Sequence, residues 1–104
     1  MSLKFPDKDP DEVLDYSVDW SRYLDTDTIS SVTWKIDDNG TLNTWEDAEV
    51  VNGLQRVSAS NNDTVATIQL SLGTAYEDYI LYCEITTSAG TTTSREINLR
   101  VRDR

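Results

Sequence analysis

Apolar and polar residues alternate along most of this chain, and the alternation has a period of two. The clearest stretch closes the sequence. Ile97, Leu99 and Val101 are apolar, while Glu96, Asn98, Arg100 and Arg102 between them are polar. A period of two places successive side chains on opposite faces of a strand, one buried and one wet. Just before it run Tyr79–Thr87, then Ser88-Ala89-Gly90, then Thr91–Val101, which predicts a hairpin with its turn at Ser88–Gly90. Leu14, Tyr16, Val18 and Trp20 alternate with Asp15, Ser17 and Asp19 in the same way. Ser21–Leu24 reads as a short irregular or single-turn piece, and Asp25-Thr26-Asp27-Thr28 as a turn.

A second strand is expected over Ile29–Ile36, with Val32, Trp34 and Ile36 on one face. Asp37-Asp38-Asn39-Gly40 follows, and Asn-Gly accepts the positive φ values of a two-residue hairpin turn. Thr41–Trp45 is expected to return as a short or edge strand. Leu54–Ser58 forms another strand with Leu54 and Val57 inward, and Asn61-Asn62-Asp63 turns the chain. Thr64–Leu72 follows, with Ala66, Ile68, Leu70 and Leu72 facing the core. That makes about seven short strands punctuated by Asn, Asp and Gly, with no long amphipathic helix. The pattern predicts an all-β, immunoglobulin-like or fibronectin-III-like antiparallel β-sandwich, a single domain over 13–104. Near Gly73 a tyrosine is expected to tie the crossover to the backbone; Tyr79 is the first candidate and Tyr76 its competitor.

Residues 1–12 break the pattern. They hold both prolines, Pro6 and Pro10, and mix Lys with Asp. They are expected to form an extended, solvated arm, either disordered or ordered by a partner.

Charge narrows the range of partners. The net charge is −10, and it is uneven: residues 1–49 carry 13 acidic and 4 basic side chains, residues 50–104 only 6 and 5. Such a field repels phosphate backbones and anionic membrane surfaces, so neither is an expected partner. A basic protein surface facing the first half is compatible with it, as is a plain role in solubility. No apolar run reaches the length of a membrane span, and no basic-then-apolar start marks a signal peptide.

The chemistry of catalysis is thin. Histidine is absent, which removes the commonest general base and metal ligand. Cys83 is the only cysteine, so no intrachain disulfide forms, and it reads as a small buried hydrophobe. No phosphate-cradling glycine motif is present. No enzymatic activity and no cofactor are expected. Two runs, Asp25-Thr26-Asp27 and Asp37-Asp38-Asn39-Gly40, cluster the oxygen ligands that calcium prefers, yet each also reads as ordinary turn chemistry. Trp20 and Trp34 fall on apolar faces. Trp45 lies in a polar stretch and is expected to be the exposed indole, a contact for protein or, alternatively, for sugar.

The run from Lys8-Asp9-Pro10-Asp11-Glu12 through Trp20, then Leu24-Asp25-Thr26-Asp27-Thr28-Ile29 and Trp34, and the closing Ile85-Thr86-Thr87-Ser88-Ala89-Gly90 and Leu99-Arg100-Val101, resemble one family. Its members are small proteins encoded among the virion structural genes of tailed bacteriophages and prophages. They are described as fibre–tail adaptor or head/tail accessory proteins with an immunoglobulin-like fold. Thr41–Ser60 carries no such match. The resemblance implies a virion component made in the bacterial cytoplasm, non-enzymatic, binding a larger tail, fibre or head–tail protein and repeated as a homo-oligomer by virion symmetry. Asp9, Asp11, Glu12, Asp25, Asp27 and Trp45 are the candidate contacts. A glycan- or host-surface-binding sandwich and a calcium-stabilised adhesion module are the alternatives.

Overall fold

A computed structural model describes residues 3–103. Met1, Ser2 and Arg104 lie outside the described residues. Among the described residues, nine strands and one turn of helix follow in order: β1 Leu3–Lys4, β2 Leu14–Asp19, α1 Ser21–Leu24, β3 Ile29–Asp38, β4 Thr41–Thr44, β5 Val50–Val51, β6 Leu54–Asn61, β7 Val65–Leu72, β8 Asp78–Thr87 and β9 Thr92–Arg100. They form two sheets, one of order β1-β9-β8-β3-β4 and one of order β2-β7-β6-β5. All pairings are antiparallel except β1 with β9. The all-β sandwich read from the period-two pattern is therefore the fold. The seven expected strands are all present, and the two-residue β1 and β5 are additions.

Alternation decides what is buried. Tyr16 and Val18 of β2, Trp34 and Ile36 of β3, Ala66, Ile68 and Leu70 of β7, Leu81, Cys83 and Ile85 of β8, and Ile97 and Leu99 of β9 meet between the sheets. Trp20, Trp34 and Trp45 are the largest fully buried side chains. Cys83 sits opposite Trp34 in the ladder, and burial pushes its thiol up to about 12. It packs as the small hydrophobe expected. The Asn-Gly signal also forms as read: Asn39 and Gly40 take φ of 52° and 93° between the paired Asp38 and Thr41.

Two inward expectations fail locally, each for a nameable reason. Val57 is exposed, because the β6–β7 register shifts between Arg56 and Ser58 and leaves Val57 as the extra residue of a bulge. Leu72 is exposed because its backbone turns left-handed (φ 61°), which rotates the side chain outward as the strand ends. Ser71 is buried beside it, with its hydroxyl donating to Gln55 Oε1 at 2.7 Å.

Over the described residues 3–12 the arm is extended but packed against the sandwich rather than solvated. From Leu3 onward it lies along β9 in parallel, Leu3 opposite Ile97 and Lys4 opposite Asn98. Backbone bonds continue the zipper: Phe5 N–H donates to Asn98 O (2.9 Å), Lys8 N–H to Arg100 O (3.0 Å), and Arg102 N–H to Lys8 O (2.8 Å). Phe5 is buried and stacks on Tyr16 at 4.6 Å, and the Tyr16 hydroxyl donates to Pro6 O at 3.1 Å. The arm thus closes the gap between β9 and β2 with core side chains of its own. Composition could not show this, since the partner for its backbone is at the far end of the chain. The arm's named strand covers only part of β9. Among the described residues, Thr92–Glu96 have no strand neighbour on that side.

Candidate functional site

The register collects one set of loops at a single end of the sandwich. Lys8 faces Val101, Leu14 faces Leu70, Ile36 faces Leu81, Leu54 faces Leu72 and Asp78 faces Arg100. Residues 8–13, the β3–β4 turn, the β5–β6 turn and the β7–β8 crossover therefore share that end. It contains the turn Asp9-Pro10-Asp11-Glu12, and it also holds Asp37, Asp38, Glu77 and Asp78.

Lys8 organises the first of these loops. It is fully buried, and its ammonium donates to Leu72 O (2.6 Å) and Asp9 O (2.8 Å). Burial lowers its pKa, while the negative charges of Glu12, Asp9 and Asp11 pull it back up. A buried ammonium needs both hydrogen bonds and counter-charge, and this acidic turn supplies them. The turn is tied to itself: Asp9 N–H donates to Glu12 Oε1 and Asp11 N–H to Asp9 Oδ1, both at 2.8 Å, and Glu12 N–H donates to Asp9 O at 3.0 Å. Asp9 is buried, Glu12 half-buried and Asp11 exposed.

Tyr79 fixes the second loop. It is buried; its hydroxyl donates to Asn52 O at 2.6 Å and accepts from Thr74 N–H at 3.0 Å. Tyr79 is thus the tyrosine that ties the crossover to the backbone, and Tyr76 is solvent-exposed. Gly73 passes so close to Val101 that a Cβ there would lie 2.9 Å from a valine methyl. Tyr76 N–H donates to Val101 O (2.7 Å), and Val101 N–H to Glu77 O (3.0 Å). An open groove of about 490 Å³ runs past Asp37, Asn52, Thr74, Glu77, Asp78 and Tyr79. Val13, Leu72 and Tyr76 stand exposed at the same end (57%, 50% and 69%). Leu72 and Tyr76 both hold left-handed backbone, φ 61° and 67°, unusual for such large side chains.

The other candidates lie elsewhere. Asp25 and Asp27 follow α1 at the opposite end, near the β8–β9 turn. Asp27 accepts from Thr28 N–H at 2.8 Å, and that backbone bond is the first cause holding its carboxyl below the usual range. Thr28 and Ser88 join the two loops there, hydroxyl to hydroxyl at 2.6 Å and Ser88 N–H to Thr28 O at 2.9 Å. Trp45 corrects its expectation outright: it is fully buried. Its indole N–H donates to Glu49 O at 3.0 Å, its backbone N–H bonds Trp34 O, and the Arg56 guanidinium caps its carbonyl. The polar residues around it are the surface of a lid folded over the ring. Among the described residues, no three or more His, Cys, Asp or Glu side chains gather in a way that would hold a metal ion.

Comparison with known families settles the class. A family model described as podophage GP4 fiber-tail adaptor protein gp77 matches residues 8–100. The chain belongs to this fibre–tail adaptor family. The match begins at the buried Lys8 and runs to the last residue of β9, so all four connections of the acid-rich end lie inside it. Membership makes the chain a virion component of tailed phage, as the motif resemblance implied. Among the described residues, no helix is long and apolar enough to cross a membrane, which does not bear on strand-built spans. No curated protein matches the chain significantly.

Leu72 and Tyr76 were missed as surface features. Leu72 continues a perfect alternation in sequence; only Gly73 after it hints that the strand stops there.

Proposed function

We propose that this adaptor-family chain is a non-enzymatic module that binds a larger virion protein and so joins fibre to tail. The observation that carries the reading is the family match over residues 8–100. The site is in keeping with it: side chains at the acid-rich end are committed to turns, to Lys8 or to a shallow open groove rather than to a reactive constellation. Copies would be repeated by the symmetry of the virion. Co-purification of the full chain with the purified tail protein and, separately, with the fibre protein of the same phage tests this. A stable complex with at least one is expected, and no complex with either defeats the reading.

The alternatives lose the features they needed. The glycan platform required an exposed Trp45, which is buried. In the calcium reading, Asp27 is engaged by a backbone amide and Asn39-Gly40 is a hairpin turn. Thermal melting with millimolar calcium and with chelator is expected to give the same midpoint, since an ion that bound only the folded chain would raise it.

A further inference from the structure

We infer that the acid-rich end is the docking surface, and that what it receives is a basic segment of the larger virion protein carrying an apolar anchor. The inference rests on the adaptor reading and adds the surface and the chemistry of the partner. Three observations converge on that end. Val13, Leu72 and Tyr76 are three of the large apolar side chains the fold leaves exposed. Leu14–Leu70 pairing sets Val13 at the level of Ser71 and Leu72, and Tyr76 is pinned to Val101, itself opposite Lys8, whose ammonium bonds Leu72 O. The backbones that carry the three are therefore tied together at this end by hydrogen bonds.

Acids surround it. Asp11 and Glu77 are exposed, and the groove beside the patch adds Asp37 and Asp78. Arg100 answers Asp78 only loosely, at 3.8 Å, and Arg102 turns to Asp7 at 3.4 Å. Lys8 is sealed inside, and the exposed Lys4 lies with Arg100 on the outer side of Asp78, so the rim facing the patch and the groove stays acidic. An apolar centre with an acidic rim complements a partner segment of opposite charge, with the rim speeding encounter and the centre holding. A second copy of this chain, net −10, would bring like charge to the rim. Nucleic acid is repelled for the same reason.

Leu72 and Tyr76 allow a clean test, because Asn accepts left-handed backbone better than either. The doubly substituted L72N/Y76N chain should keep its melting temperature and lose its apolar anchor. Affinity of the full chain for the purified tail protein and fibre protein is measured by titration at low and high salt. For the protein bound, L72N/Y76N should weaken binding roughly 30-fold. The matched control Val57→Asn, exposed on the outer face of β6, should leave it unchanged. D11N/E77Q should lower affinity and flatten its salt dependence. If L72N/Y76N binds as tightly as the unmodified chain, or Val57→Asn loses as much, this surface is wrong while the adaptor reading stands. Salt-independent binding overturns the basic partner, and concentration-dependent self-association abolished by L72N/Y76N points to a second copy instead. Failure of the unmodified chain to bind either protein defeats the adaptor reading itself, and the inference with it.

Discussion

The two ends of the sandwich use the same residue type for different work. At the end near α1, aspartate serves neutral surface groups. Asp19 takes the N–H of Ser21 at 2.9 Å, and Asp27 takes the N–H of Thr28 and reaches across to Thr87 and Ala89 of the β8–β9 turn. At the acid-rich end, aspartate and glutamate answer a charge that is out of water. Asp9, Asp11 and Glu12 all act on Lys8, which links the arm to β7 through Leu72 O. An acidic loop of the first kind ties neighbouring turns together without any buried charge to balance. One of the second kind holds two sheets and an arm in register, and it does so beneath an exposed apolar patch.

The sharpest way to break this contrast is Lys8→Ala. It strips two carbonyls of their donor and leaves the acidic turn with no internal positive charge, and the expected loss is about 3–5 kcal/mol. Lys8→Met, which keeps most of the stem packing but no donor, should fall between. Chemical denaturation of both variants checks this, and a loss near zero would mean that the turn stands alone. Next in size is Tyr79→Phe. It removes the hydroxyl shared by Asn52 O and Thr74 N–H and should cost about 1–3 kcal/mol, whereas Tyr76→Phe, whose ring stands in solvent, should be neutral. Equal effects would dissolve the distinction between the corner tyrosine and the surface one. The smallest effect belongs to the far end. Asp27 has its pKa lowered in the fold, so its contribution is present above the ordinary carboxylate range and is lost as pH falls through the folded value. Asp27→Asn should therefore be slightly less stable than the unmodified chain at neutral pH and converge with it in acid, giving a shallower acid limb in a melting-versus-pH series.

The strands were legible because burial between two sheets writes itself into sequence as alternation, and Tyr16, Trp34, Ile68 and Leu99 follow it. Corners were legible where a dipeptide fixes the backbone, as at Asn39-Gly40. What alternation cannot carry is contact between distant segments. The arm reads as polar because the β9 edge that satisfies it comes some 90 residues later. Trp45 reads as exposed because its cover is built by Glu49 and Arg56 around it, not by its neighbours' hydrophobicity. The acid-rich end is assembled from residues near positions 11, 37 and 77, which only the strand order brings together. Half of the candidate contacts, Asp9, Asp11 and Glu12, fall there; Asp25 and Asp27 fall at the other end and Trp45 at neither.

The arm stops short of covering its whole neighbour. Beyond Ile97 and Asn98 the outer margin of the last strand shows Thr92, Thr93, Ser94, Arg95 and Glu96, with Arg95 folded over the Trp20 ring at 4.4 Å. Charged side chains at Arg95 and Glu96, the first held on Trp20 and the second bonded by Tyr82, make this margin a poor template for a stray chain seeking to extend the sheet. Molecules crowded side by side on one particle would gain little by zipping together along this seam, which leaves each free to be held by its intended neighbour.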